Sequence, residues 1–142
     1  ETGAVRLLQF VAAHDVGCAI NPMQAEGQVE GAAVQGMGYA LTEELVRVQG
    51  RTANPSFLDY RLFSALDVPP IQCILVESDD PNGPFGAKGV GEPGLVSTAP
   101  AIANALYDAT GARLTDLPMT PEKVLRALRA KAQGTRHKAK GE

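Results

Sequence analysis

An α+β fold is predicted: a small mixed β-sheet packed by about three helices. Three features predict it. One stretch, Ile71–Ser78, is apolar and β-branched as a buried strand requires. Three segments carry helical periodicity, each with its own start or stop signal. The 142 residues suffice for one core and are too few for two domains of typical size.

In order along the chain, the apolar run from Ala4 leads to turn-prone Asp15 and Gly17, predicting a strand. Asn21 is a good N-cap, Pro22 suits a first helical position, and Gln24 falls where a capping-box partner sits; the helix is expected to run to about Glu44. The segment from Glu44 to Asn54 reads as a strand turning at Gly50, and the one from Phe57 to Pro70 as irregular. After the Ile71–Ser78 strand comes a loop, Asp79–Gly94, holding five of the fifteen glycines. A helix from Thr98 presents Ile102, Ala105, Leu106 and Ala109 on one face and stops at Gly111. Thr120 caps the last helix, Pro121 starts it, and Val124, Leu125 and Leu128 dock it. The folded subdomain is expected over residues 1–128, and a basic, disordered tail over 129–142. The opening Glu1-Thr2-Gly3 resembles the middle of a longer polypeptide, with a partner strand expected before it.

Charge excludes one class of function. The net charge of −3 combines six basic residues and one acid, Glu142, from Arg126 onward with a net of −8 before them. A nucleic-acid module carries its positive charge on a folded face, often with aromatics interleaved; here the folded part is acidic and Trp is absent. No stretch is apolar for the length of a membrane-spanning helix, so no membrane partner is expected. Cys18 and Cys73 fit no metal-binding spacing and read as buried free thiols of a reducing, cytoplasmic compartment.

Two regions carry possible chemistry. In the first helix Gly27, Gly31 and Gly38 fall near one stripe, where each helical Gly costs about 1 kcal/mol relative to Ala. Close approach to the backbone would compensate. Gln24, Gln28 and Gln35 offer amide donors and acceptors on an adjoining face, suited to a ligand with alternating polar edges; the plain alternative is a tightly packed helix with solvated glutamines. The second region is the glycine loop. Its backbone N–H groups could surround an anion, Lys88 is a candidate phosphate or oxyanion contact, and Glu92 is a candidate general base. The alternative is a flexible turn with a solvated Glu. Gly89-Val90-Gly91-Glu92-Pro93-Gly94 also spells the dinucleotide-binding pattern, but the preceding strand ends about ten residues too early for nicotinamide binding.

Three stretches, Ala12–Leu45, Asn54–Ser78 and Gly83–Gly111, together with Leu117–Leu128, resemble the C-terminal part of the molybdopterin-binding catalytic subunit of the xanthine dehydrogenase and aldehyde oxidoreductase (molybdenum hydroxylase) family. Most specific are Gly27-Gln28-Val29-Glu30-Gly31 and, later, Gly86-Ala87-Lys88-Gly89-Val90-Gly91-Glu92-Pro93, in that order. The resemblance implies that Glu92 is the active-site base, taking a proton from a molybdenum-bound hydroxyl. Oxygen then comes from water, and two electrons leave through the cofactor. It further implies that Gln28 contacts the cofactor and that the backbone of Lys88, Gly89, Val90 and Gly91 wraps the pterin. The metal is expected to be bound by the pterin dithiolene, with no protein metal ligand. A base in that role is expected on rigid, water-poor backbone.

The implied cofactor is molybdopterin with molybdenum, as the cytosine dinucleotide, with [2Fe–2S] clusters and FAD on partner domains or subunits. The implied partners are the remainder of the molybdopterin-binding subunit, iron–sulfur and FAD subunits, and an aldehyde or N-heterocycle as small-molecule substrate. Where the family often has a basic residue after His-Asp-Val-Gly, this chain has Cys18. Alone, it is expected to hold no stable cofactor and to be inactive. The alternative from another class is a non-catalytic assembly module that keeps the fold.

Overall fold

A computed structural model describes the backbone of residues 1–138 and the side chains of residues 1–133. Strand β1 (Phe10–Asp15) leads into helix α1 (Pro22–Leu41), a short hairpin of β2 (Arg47–Val48) and β3 (Arg51–Thr52), and strand β4 (Ile71–Val76). A 3-10 turn at Pro84–Gly86 follows, then α2 (Pro93–Val96), α3 (Thr98–Thr110) and α4 (Pro121–Lys138). The fold is therefore α+β with three long helices, as the sequence predicts. Its strands make one parallel and one antiparallel pair, in two separate sheets.

Local chemistry explains most boundaries. The Asn21 side-chain oxygen accepts the Gln24 N–H at 3.2 Å, capping α1. Helix α1 ends at Leu41, short of the expected Glu44, because the Gly38 carbonyl collects the N–H groups of both Thr42 (2.9 Å) and Glu43 (2.8 Å) and so closes the last turn. Strand β1 is shorter than expected because β4 offers six partners, in register from Phe10 opposite Ile71 to Asp15 opposite Val76. The β2–β3 turn carries positive φ at both Gln49 (49°) and Gly50 (79°), the conformation that matches strand twist in two-residue hairpins. Helix α4 continues to Lys138, ten residues past the expected end of the subdomain at Leu128. Residues 139–142 of the expected tail lie outside the described residues.

The chain forms two compact units. One comprises residues 7–37 and 63–99. It holds the β1–β4 sheet, the greater part of α1, the glycine loop and α2. Its buried side chains include Ala12, Val16, Val29, Ala32, Ala33, Met37, Thr98 and Ala99. The other unit comprises residues 1–6, 38–62 and those from 100 onward. There Ala40, Leu41, Ile102, Leu106, Met119 and Val124 are buried. Its polar ties include the Met119 N–H on the Ala40 carbonyl at 2.6 Å and Lys131 on the Thr110 carbonyl at 2.5 Å. Both cysteines are free but only half-buried, in contrast to the buried thiols expected. Burial, and secondarily Glu26 and Glu30, pushes the Cys73 thiol above its ordinary pKa.

Candidate functional site

Strands β1 and β4 are parallel, so both of their carboxyl ends reach the same edge of the sheet. At that edge the chain turns sharply. The Asp15 carboxylate accepts the Gly17 N–H at 2.9 Å, and Gly17 (φ 67°) forms an antiparallel bridge with Ala87. A Cβ at Gly17 would run into the Gly86 carbonyl, so only glycine lets the two segments meet. Further backbone bonds lace them together: Lys88 N–H donates to the Val16 carbonyl (2.9 Å) and Cys18 N–H to the Gly86 carbonyl (2.7 Å). The Gly86 carbonyl also accepts the Asp80 N–H at 2.9 Å, fixing the approach from β4.

The Lys88 ammonium is engaged. It lies 2.6 Å from the Asp15 carboxylate and 2.9 Å from the Ser78 hydroxyl oxygen, and that hydroxyl in turn reaches Asp15 at 2.8 Å. The hydrogen bond from Lys88, with those from Gly17 and Ser78, holds the Asp15 carboxyl well below the usual carboxylate range. Reciprocally, Asp15 raises the pKa of Lys88. The expected phosphate or oxyanion contact is thus a cation already paired within the chain.

Glu92 precedes α2, with Pro93 at the first helical position and the Leu95 N–H closing onto the Glu92 carbonyl at 3.0 Å. Helix α2 seats directly on α1. A Cβ at Gly94 would stand 2.9 Å from the Ala32 Cβ and 3.1 Å from the Val29 carbonyl oxygen, and the buried Thr98 hydroxyl donates to the Gly94 carbonyl at 2.9 Å. One residue before Glu92, the Gly91 carbonyl accepts the side-chain amide of Gln28 at 2.7 Å. Two of the expected site residues, 63 positions apart, are therefore in direct contact. Val90 is half-buried, whereas Gly89, Gly91 and Glu92 are exposed. The water-poor setting expected around Glu92 is not formed by the described residues, because no element among them covers the outer side of this loop.

The glycines of α1 divide differently from expectation. A Cβ at Gly27 or Gly31 would meet nothing within 4 Å. The close approach occurs at Gly36, where a Cβ would lie 2.5 Å from the Thr98 Cβ. At Gly38 a Cβ would first meet the flexible end of Glu43. Sequence reasoning also missed Asp15 and Ser78 as partners of Lys88. The available signal was that, with the two strands parallel, Asp15 at the end of β1 and Ser78 just after β4 come to one edge.

The family described as the molybdopterin cofactor-binding domain matches residues 1–69. The chain is 44% identical over 128 residues to the gamma subunit of the 6-hydroxypseudooxynicotine dehydrogenase complex of Paenarthrobacter nicotinovorans, covering 87% of this chain and 16% of that protein. It is 38% identical over 122 residues to a putative xanthine dehydrogenase molybdenum-binding subunit of Escherichia coli, covering 84% of this chain and again 16% of the relative. The solved structure of the aldehyde oxidoreductase from Desulfovibrio gigas superposes with a TM-score of 0.84 at 35% identity, over 90% of this chain and 14% of that one. The chain thus spans about one-sixth of the length of the relatives it matches. With both sequence and fold shared, it belongs to the xanthine dehydrogenase and aldehyde oxidoreductase family of molybdenum hydroxylases, within the sequence of their molybdenum-binding subunit.

Proposed function

We propose that this chain acts as part of the catalytic subunit of a molybdenum hydroxylase that oxidises an aldehyde or an N-heterocycle, with Glu92 as general base. The observation that carries the reading is the Gln28–Gly91 hydrogen bond, which sets the glutamine of α1 beside the loop bearing Glu92. The residues fit a bulky, polar-edged cofactor. Gly89 and Gly91 each leave open space where a Cβ would project, so the backbone of residues 88–91 can be approached closely. Among the described residues, the N–H groups of Gly89, Val90 and Gly91 have no protein acceptor, leaving three donors for an incoming ligand. Gly27 and Gly31 open the neighbouring face of α1 in the same way.

In this reading Gln28 and the backbone of Lys88, Gly89, Val90 and Gly91 hold the pterin, in its cytosine dinucleotide form. When bound, the molybdenum cofactor supplies two-electron redox chemistry that lets water furnish the product oxygen. Overall, a substrate C–H and one water become C–OH, two protons and two electrons. Glu92 accepts one of those protons at its carboxylate, a contribution of typically about 10²- to 10⁴-fold for a positioned base. The remaining polypeptide of the subunit would cover the outer side of the loop and exclude water. Electrons would leave through [2Fe–2S] and FAD partner subunits, in the cytoplasm.

Reconstitution separates this reading from a purely assembling role. Combined with the rest of a molybdenum-binding subunit, the chain is expected to yield bound molybdopterin and dye-linked oxidation of benzaldehyde or hypoxanthine. A stable complex that binds no pterin would instead make it an assembly module.

A further inference from the structure

The side-chain cluster at the carboxyl ends of β1 and β4 enters the reading above only through the backbone of Lys88, and yet it grips the loop on which that reading rests. Asp15 ends β1, Ser78 follows β4, and Lys88 begins the segment leading to Glu92. All three side chains are mutually bonded: Lys88 to Asp15 at 2.6 Å, Lys88 to Ser78 at 2.9 Å, and Ser78 to Asp15 at 2.8 Å. Backbone bonds reinforce them on the same side, from Lys88 N–H to Val16 and from Gly17 N–H to the Asp15 carboxylate, each 2.9 Å.

We propose that Asp15, acting through Lys88 and Ser78, is a positioning residue that anchors the near end of the Glu92 loop to the parallel strand pair. The proposal rests on the assignment of Glu92 as base. Three residues separate Lys88 from Glu92, a tether of four peptide steps and at most about 14 Å. The far end of that tether is fixed by the Gln28–Gly91 bond and by Gly94 seated on Ala32 and Val29. Residues 89–91 therefore run from the Lys88 anchor to the Gln28 anchor beside Glu92, and releasing Lys88 leaves only the Gln28–Gly91 bond and the Gly94 seat to set where the carboxylate lies. The Lys88–Asp15 pair is substantially exposed, at 36% and 40%, so it adds little to global stability. What it determines is where the loop lies. Two of the three ammonium donors of Lys88 are satisfied by Asp15 and Ser78.

The test uses the complete, cofactor-loaded catalytic subunit carrying Asp15→Asn, Lys88→Met, Lys88→Arg or Glu92→Gln. For each, molybdenum content, kcat and KM with benzaldehyde or hypoxanthine, and amide hydrogen exchange over residues 86–92 are measured. Asp15→Asn and Lys88→Met should keep molybdenum and change KM by no more than about twofold, while kcat falls on the order of ten- to a hundredfold, as expected for a misplaced catalytic group. Exchange over residues 86–92 should accelerate in both. Lys88→Arg, which keeps the cation, should recover much of what Lys88→Met loses in both readouts.

Wild-type exchange and kcat in Asp15→Asn and Lys88→Met, beside an inactive Glu92→Gln, would overturn the anchor while leaving the base assignment intact. So would equal impairment of Lys88→Arg and Lys88→Met. Full turnover by Glu92→Gln would remove the catalytic reading, and exchange alone would then judge the anchor. If Asp15→Asn fails to assemble, the Lys88→Met and Lys88→Arg pair decides.

Discussion

At the scale of single residues, the Asp15–Lys88 contact has a defined pH window. The folded pKa of Asp15 is depressed, so its contribution is fully present above the unfolded value of about 3.9 and is lost as pH falls below it toward the folded value. That of Lys88 is raised, chiefly by Asp15 and further by Asp80, so its contribution is present below about 10.4 and lost as pH rises through the folded value. The contact should therefore hold unchanged between about pH 4 and pH 10. Amide exchange at Lys88, corrected for its intrinsic pH dependence, should show constant protection from pH 5 to pH 9; a step near neutrality would contradict this. The motifs that hold Gln28 and Glu92 stand out in the sequence because each is a glycine setting with a recognisable order. Asp15 was not, because its significance comes from pairing with residues 63 and 73 positions away, which no local pattern encodes.

At the scale of elements, the helices were the most legible, since caps and stops are local. Asn21 and Gly111 perform the parts that their residue types suggest, Gly111 ending α3 with φ 65°. Which glycine of α1 is packed against a neighbour was not legible, because helical spacing identifies a stripe but not what touches it. The structure makes the distinction testable. Gly36→Ala would drive a methyl group against Thr98, itself fully buried, and should destabilise by about 1–3 kcal/mol. Gly27→Ala adds a methyl group in open space within a helix and should stabilise by up to about 1 kcal/mol. Urea denaturation midpoints of the two variants should move in opposite directions. A common direction would contradict the packing described for α1.

At the scale of the whole molecule, the β1–β4 pair stands out. Its outer face exposes Val11 (52%), Ile74 (41%) and Val76 (45%). Parallel sheets bury both faces almost without exception, and two strands alone are marginal in water. Alternating burial along both strands was not foreseen for β4, whose continuous apolar run reads as buried on both sides. That run is what a parallel strand covered on each face requires, so sequence and structure agree once a covering partner is included. In the reconstituted subunit, amides of residues 10–15 and 71–76 should gain hydrogen-exchange protection relative to the chain alone. No gain would mean that the remaining polypeptide seats elsewhere.

In the proposed function, the glycine loop beside Gln28 presents Glu92 as the base of a molybdenum enzyme. The most direct measurement compares molybdenum content and turnover of the assembled subunit with and without Glu92→Gln. Molybdenum should stay near the wild-type level while turnover falls by at least about a hundredfold. Retained turnover, or loss of the metal in step with activity, would contradict that role of Glu92.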